Sequence, residues 1–337
     1  MNRHSEMPRA IALLLIACAI VGTFVAAGCT SLSGPKLADE GIKNRAIELT
    51  SVPFYPQDDD QCAVAAIAAV VGAQKVAVDL SELKQAFAKA APDDPMSAEA
   101  LTAARSSGLV PYVLRSPHPE ADVVREVEAG NPVAVLLSSS LLFGPRWHFA
   151  VVVGVDPKND KVVLRSCLNA RETTSFSDFV SNWSGSNNWA MVLLPADKLP
   201  ATIDAQSAIA AIRPLEKNNQ IELAERAYSA VTERWPENVL AWKSLADARY
   251  QQKNLRGSID AWVVALRLAP DDNVSRNNLA YVLLDRQCAE QAEDLINKAI
   301  ATETDPQQLE AFKSTRYWVL RHEGPSVVCP GLENLPP

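Results

Sequence analysis

From about residue 204 to residue 305 the chain repeats itself every 34 positions. A shift of 34 carries Ala227 onto Ala261, Tyr228 onto Trp262, Val231 onto Ala265 and Pro236 onto Pro270. The next shift carries Leu245 and Ala246 onto Leu279 and Ala280, and Ala265 onto Ala299. Self-similarity at a fixed period of about 20 to 50 residues is the mark of stacked supersecondary units. The composition after Pro195 is Ala, Leu, Glu and Gln without strand-like runs, so each unit is a helix pair. Small residues stand where helices touch, a bulky aromatic beside them, and Pro after the second helix. The sequence predicts clear units at about 238–271 and 272–305 and a degraded one at 204–237. A closing helix over Leu309–Arg321 and a Pro/Gly-rich tail at 323–337 follow. Three stacked pairs are about the fewest that bury a continuous core. An irregular helical bundle would not place both Ala and Pro in register.

This pattern resembles the tetratricopeptide repeat. The repeats begin only at about residue 204 of a 337-residue chain, and the length predicts about two domains. Residues 48–195 read differently. Cys62–Val71 is an Ala/Val/Ile run ending at Gly72, a buried helix with a Gly stop. Ser81–Ala90 places Leu83, Ala86, Phe87 and Ala90 on one face, with Ser81 as the cap. Ser97–Ser107 reads as a third helix that Gly108 ends. Strands then follow at Val133–Leu137, Phe149–Val155, Lys161–Leu164 and Trp189–Leu194. The turn chemistry of Asp156-Pro157-Lys158-Asn159-Asp160 makes the middle two a hairpin. Helices first and a mainly antiparallel sheet afterwards predict an α+β domain, followed by an all-α repeat domain.

The N-terminus has the layout of a secretory signal, with Arg3 and Arg9 ahead of an uncharged run from Ala10 to Gly28. Its exit, Val25-Ala26-Ala27-Gly28-Cys29, resembles the lipobox of bacterial lipoproteins. That resemblance implies a signal peptide over 1–28, diacylation at Cys29 and a tether over 29–47. Two acyl chains make a stable membrane anchor. Ala26 stands where the lipobox usually has Leu, and an uncleaved membrane anchor is the alternative. Either reading places the rest of the chain outside the cytoplasm. Thr30 after the Cys matches outer-membrane sorting, facing the periplasm.

Charge and cysteine content narrow the function. With 32 Lys+Arg against 40 Asp+Glu the formal net charge is −8. No basic stripe is available to displace counterions from a nucleic-acid backbone, so nucleic acid is excluded as the main partner. Six Cys are too few for a disulfide scaffold, and only four His are available as bases. Asp58-Asp59-Asp60 lacks a partner cluster and reads as a solvated loop, so no metal is expected.

A cysteine nucleophile needs a base, a donor for the developing oxyanion and a group to orient the base. Cys62 opens a helix whose N-terminal dipole favours the thiolate. Gln57, five residues upstream in an extended segment, can serve as oxyanion donor. His148 begins the strand Trp147-His148-Phe149-Ala150-Val151-Val152-Val153-Gly154. His118, between Pro117 and Pro119, and His322, at a helix end, read as exposed loop residues. Cys167 reads as a resolving thiol, a disulfide partner for Cys62 or strand packing, with packing the default. Cys288 and Cys329 are a candidate disulfide that would pin the tail to the repeats.

These residues, with Val52-Pro53-Phe54-Tyr55-Pro56-Gln57, Gln61-Cys62 and Trp189–Pro195, resemble the bacteriocin-processing, papain-like cysteine peptidases. The order of lipobox, peptidase-like domain and repeats resembles bacterial lipoproteins that join the two. The resemblance implies Cys62 as nucleophile, His148 as base and acid, and Gln57 as oxyanion donor, with no cofactor. Two positions depart from the family. Ala63 follows the Cys where Gly is usual. Where the family places Asp, on the strand after the His strand, this chain has Leu164-Arg165-Ser166-Cys167-Leu168-Asn169, so the third member is open between Ser166 and Asn169.

Two functions follow from this reading. One is an envelope-anchored cysteine peptidase or amide hydrolase acting on a peptide or protein, with a protein partner recruited by the repeats. The other is a catalytically inactive peptidase-like fold that serves as a peptide-binding scaffold.

Overall fold

A computed structural model describes residues 45–57, 61–88, 101, 104–141, 144–322, 326–332 and 335. The signal-like stretch with Cys29, the Asp58-Asp59-Asp60 loop and most of the expected 97–107 helix lie outside the described residues.

The first half runs β1 (Ile47–Glu48), α1 (Cys62–Ala73), α2 (Leu80–Phe87), β2 (Val110–Leu114), α3 (Pro119–Glu128), β3 (Val133–Leu141) and β4 (Gly144–Asp156). It continues with β5 (Lys161–Ser166), β6 (Asn169–Ser175), α4 (Phe176–Ser184) and β7 (Ala190–Leu194). The strands form one antiparallel sheet in the order β2-β7-β3-β4-β5-β6, with β1 added against the far end of β4. Apolar residues alternate to serve both faces. Phe149, Val151 and Val153 pack with α1 and α2, whereas Val135, Ala150 and Val152 pack with α3 and α4.

The α+β class holds, but helices and strands interleave where a block of helices followed by a sheet was expected. Five elements were not anticipated, the two-residue β1 among them. β2 contains Pro111 and is tolerated because it lies at the sheet edge, where a missing N–H costs no ladder bond. At the opposite edge β6 reads Asn-Ala-Arg-Glu-Thr-Thr-Ser, a polar strand whose charges suit an exposed edge. α3 starts on Pro119 with Glu120 and Asp122 in its first turn, a favourable start that the short run concealed. α4 buries Phe176, Phe179 and Trp183, the last two stacked at 5.3 Å.

The cap of α2 also differs from expectation. Asp79, not Ser81, is the N-cap, and its carboxylate accepts from the Ser81 and Glu82 amides at 2.8 and 3.1 Å. An ionised acceptor at the positive end of the helix outcompetes a hydroxyl. The Ser81 hydroxyl also donates to Asp79 at 2.6 Å, and this bond, with the two amide bonds, holds its carboxyl below the usual range. The 156–160 turn forms as expected, with the Asp156 carboxylate accepting from Asn159 Nδ2 at 2.7 Å.

The second half is seven helices among the described residues: α5 (Ala205–Lys217), α6 (Ile221–Arg234), α7 (Val239–Gln251), α8 (Leu255–Leu268), α9 (Asn273–Asp285), α10 (Ala289–Thr302) and α11 (Pro306–Leu320). It is an all-α region with the tetratricopeptide-repeat architecture. The period reappears in local geometry. Asp204, Asn238 and Asp272 each cap the first helix of a pair by accepting the amide three residues on. Asn219, Lys253 and Gln287 turn the chain between the paired helices with φ of 58°, 60° and 70°. Each turn closes with an amide reaching back to a carbonyl five residues earlier, Gln220 to Leu215, Asn254 to Arg249 and Cys288 to Leu283. Tyr228 and Trp262 are fully buried, against Ala224, Ala227, Ala261 and Ala265 with no exposure at all.

Candidate active site

The site is built on α1. Nine of its twelve residues are buried between the sheet and Leu83 of α2, so the apolar run forces the helix inward and fixes its first residue, Cys62, at the sheet. Gln61 precedes it without a side-chain cap. The α1 amides therefore present the positive end of the helix dipole at Cys62.

The extended lead-in Val52–Gln57 lies over the other end of the same helix. A Cβ on Gly72 would come within 2.6 Å of Pro53 Cγ and 3.0 Å of Tyr55 Oη, so glycine is needed here for close approach. The lead-in is tied at its root by the Leu49 amide to Val153 O at 2.7 Å. Its far end docks through the Gln57 amide to Cys167 O at 3.3 Å. Gln57 therefore stands beside the cysteine pair, though its side-chain Nε2 donates to Pro56 O at 2.6 Å.

Cys62 is bonded to Cys167 across 105 residues, with 4.8 Å between their Cα atoms. Of the readings open for Cys167, the structure takes disulfide partner, not the default of strand packing. β5 ends at Ser166, and the turn into β6 carries Cys167 over the start of α1. Tyr55, Cys62, Phe149, Arg165, Ser166 and Cys167 line a cavity of only about 10 Å³, room for about one water.

His148 is half-buried and pairs in the ladder with Leu137. Its neighbour Phe149, not His148, lines the cavity. Strand alternation places His148 with Ala150, and Ala150 faces Ser166 across the β4–β5 ladder. The Ser166 hydroxyl donates to Glu172 Oε2 at 2.5 Å. Asn169 opens β6 opposite Ser166 and is exposed. The structure thus joins Cys62, Cys167 and the Gln57 backbone, whereas alternation sets His148 on the sheet face of Ala150 and Val152, which pack with α3 and α4, and not on the face that carries α1 and Cys62. His118 stands exposed at the N-cap position of α3 without a side-chain capping bond, while His322 is half-buried at the end of α11.

Two residues were passed over in the sequence. Arg165 clamps the site, donating to Ala170 O at 2.7 Å and Thr50 O at 3.5 Å, while its Nε is buried with no hydrogen-bond partner. A lone charge between Leu164 and Ser166 in a strand was the available signal. Glu172, in a polar edge strand, gave no signal apart from its charge. At the other end of the chain Cys288 and Cys329 are bonded, and the tail is further held by Val327 N to Gln287 O and by Gln291 on both backbone groups of Cys329.

Residues 49–191 match the Peptidase_C39 like family. Among solved structures, a C39-like peptidase from Bacillus anthracis is similar at 16% identity, covering 44% of this chain and 98% of its own, with a TM-score of 0.36. The TPR2B domain of yeast Sti1, in complex with pHsp70, is similar at 14% identity, covering 35% and 96%, with a TM-score of 0.33. The Sgt2 TPR domain from Aspergillus fumigatus is similar at 14% identity, covering 39% and 90%, with a TM-score of 0.31. No curated protein matches.

Proposed function

We propose that the peptidase-like domain is a cysteine hydrolase of peptide or amide bonds. The observation that carries this is the placement of Cys62 as the first residue of a buried helix, inside the stretch that matches the Peptidase_C39 like family. As a free thiolate, Cys62 attacks the carbonyl carbon. Gln57 and an α1 amide hold the oxyanion, and His148, which must first swing round from the far face of the sheet to reach Cys62, takes the thiol proton and returns it to the leaving amine. Ser166, backed by the Glu172 carboxylate, occupies the place of the missing Asp as the orienting group. Asn169 remains the alternative third member.

The repeats offer a concave face for a protein partner. Asp247, Tyr250, Asn277 and Tyr281 line a groove of about 360 Å³ there. The lipid on Cys29 anchors the chain to the outer membrane, facing the periplasm.

The test uses the chain after reduction, on a pool of unstructured peptides followed by mass spectrometry. Cleavage that disappears in both Cys62→Ser and His148→Ala supports the reading; cleavage that persists in Cys62→Ser ends it.

A second reading has its own support. In the oxidised chain Cys62 is tied to Cys167 and the cavity beside it is too small for a substrate carbonyl. A non-catalytic peptide-binding scaffold would show these features too. It predicts no cleavage in the reduced chain and undiminished partner binding in Cys62→Ala.

A further inference from the structure

We propose that the Cys62–Cys167 disulfide is an exchangeable bond that takes thiols as reactants, with Cys167 the sulfur attacked and Cys62 the sulfur released. This concerns the same site, and only its consequence for hydrolysis rests on the hydrolase reading.

The two disulfides of the chain differ in setting. Cys288 and Cys329 are both buried, and the tail around Cys329 is hydrogen-bonded to α10 on both sides of the sulfur. Cys62 is buried at 4% exposure, whereas Cys167 is half-buried in a surface turn beside Leu168, which is 63% exposed. An incoming thiolate therefore reaches Cys167 Sγ first.

Leaving-group chemistry favours the same direction. The sulfur with the lower thiol pKa departs faster. Cys62 sits at the N-terminus of a twelve-residue helix, which stabilises the thiolate. A second, independent feature is Arg165. It lines the same cavity, carries a full positive charge, and has a buried Nε–H with no acceptor. A buried donor left unpaired is costly, and an anion beside it would satisfy it. The thiolate released by exchange is such an anion.

The balance is simple. The incoming thiolate forms a bond to Cys167 Sγ, the Sγ–Sγ bond breaks, and its electron pair leaves on Cys62. A second thiolate then attacks the sulfur of the first, forming the small disulfide, and the electron pair of the broken bond leaves on Cys167. The protein disulfide gains two electrons and two protons, and the two thiols become a disulfide. The reactant class is a low-molecular-weight thiol or a protein dithiol, and both use the same step. For the hydrolase, this means that the nucleophile exists only after exchange.

The test is incubation of the oxidised full chain with reduced glutathione at pH 7.5, quenching in acid, and mass mapping of each cysteine, without any peptide substrate. The expected result is a glutathione adduct on Cys167 with Cys62 free to alkylate, at a rate more than roughly tenfold above opening of Cys288–Cys329. Arg165→Gln, checked for an intact fold by its circular dichroism and its closed Cys288–Cys329 bridge, is expected to slow the exchange several-fold. An adduct on Cys62, equal rates at the two bridges, or an unchanged rate in folded Arg165→Gln overturns the proposal. The fate of the hydrolase reading is separate. Exchange without peptide cleavage refutes that reading alone, and cleavage by Cys167→Ser without exchange in the native chain refutes this one alone.

Discussion

The buried carboxylate of Glu126, in α3, accepts hydrogen bonds from both the backbone amide and the hydroxyl of Thr202, each at 2.8 Å. Its other oxygen accepts from Asn131 Nδ2 at 2.7 Å. Thr202 lies just before α5, so one side chain fastens the peptidase-like domain to the first repeat. The joint is also apolar. Ile203, Ile209 and Ile212 continue the cluster that contains Tyr112 and Val192 of the sheet. Arg234 reinforces it, donating to Pro200 O at 2.5 Å and Ala201 O at 2.8 Å.

Replacing Glu126 with Ala leaves the Thr202 and Asn131 donors without their partner in a half-buried site. A loss of about 3 kcal/mol is expected, since bonds to a charged acceptor contribute about 1.5 to 3 kcal/mol each and are not additive. Urea unfolding followed separately by tryptophan fluorescence and by helical ellipticity checks this. A single cooperative transition in the native chain that splits into two in the variant is the expected outcome. A variant that unfolds like the native chain would show that the joint is not coupled through Glu126.

Asp272 does two jobs, capping α9 through the Ser275 amide at 3.2 Å and pairing with Lys243 of the preceding repeat at 2.6 Å. Burial works against its charge, but the bonds from Lys243 and Ser275 outweigh it and hold its carboxyl below the usual range. The stability it contributes is therefore present above the unfolded pKa and lost as pH falls through the folded value. Asp272→Ala is expected to cost about 2 kcal/mol at pH 7. Asp305→Ala removes a cap with no ion pair among the described residues and should cost about 1 kcal/mol. Equal losses in the two variants would leave the Lys243 pair with no measurable role.

Asp247 behaves in the opposite sense. Enclosure by the groove, with the charge of Glu216, raises its carboxyl to about 6, against a smaller pull from Lys243. Although ringed by protein atoms, the side chain is open to water along the groove, and that exposure limits the energy involved. The folded pKa lies above the unfolded one, so this contribution is full below about pH 4 and lost as pH rises through about 6. Asp247→Asn should raise stability at pH 7.5 by less than about 1 kcal/mol and flatten the decline between about pH 4 and 6. Denaturation midpoints of the two chains at several pH values check it, and parallel curves would refute it.

Gly72 sets the position of the Gln57 lead-in. In Gly72→Ala the new methyl meets the rigid Pro53 ring, so the whole segment must lift. The expected cost is about 1 to 3 kcal/mol, typical of overpacking. The Gln57 amide, bonded to Cys167 O in the native chain, should lose protection from hydrogen exchange. Unchanged protection at Gln57 would mean that the ring gives way without moving the site.

The helical half was legible because its constraints are local. A helix pair closes on itself within 34 residues, so Ala265 and Ala299, or Pro236 and Pro270, recur wherever the packing recurs. Even there the turns escaped notice, because Asn219, Lys253 and Gln287 share a left-handed conformation but no residue type. The backbone bonds across each turn demand the conformation, and no side chain advertises it. The start of α1 at Cys62 was equally plain from its apolar run, but Gly72 is not its stop: α1 runs on to Ala73, and the left-handed turn falls at Lys75 with φ of 61°.

What the sequence by itself determined is the order of the parts: a helix opening on Cys62, a hairpin through Asp156–Asp160, and three helix pairs with a closing helix. Only the tertiary structure decided the partnerships. Cys62 meets Cys167 from 105 positions away, Ser166 turns to Glu172, and Glu126 reaches Thr202. Short-range periodicity records which face of an element is buried. It holds no information about which distant element supplies the other half of a bond, because that depends on strand order and register, which the whole fold must settle at once.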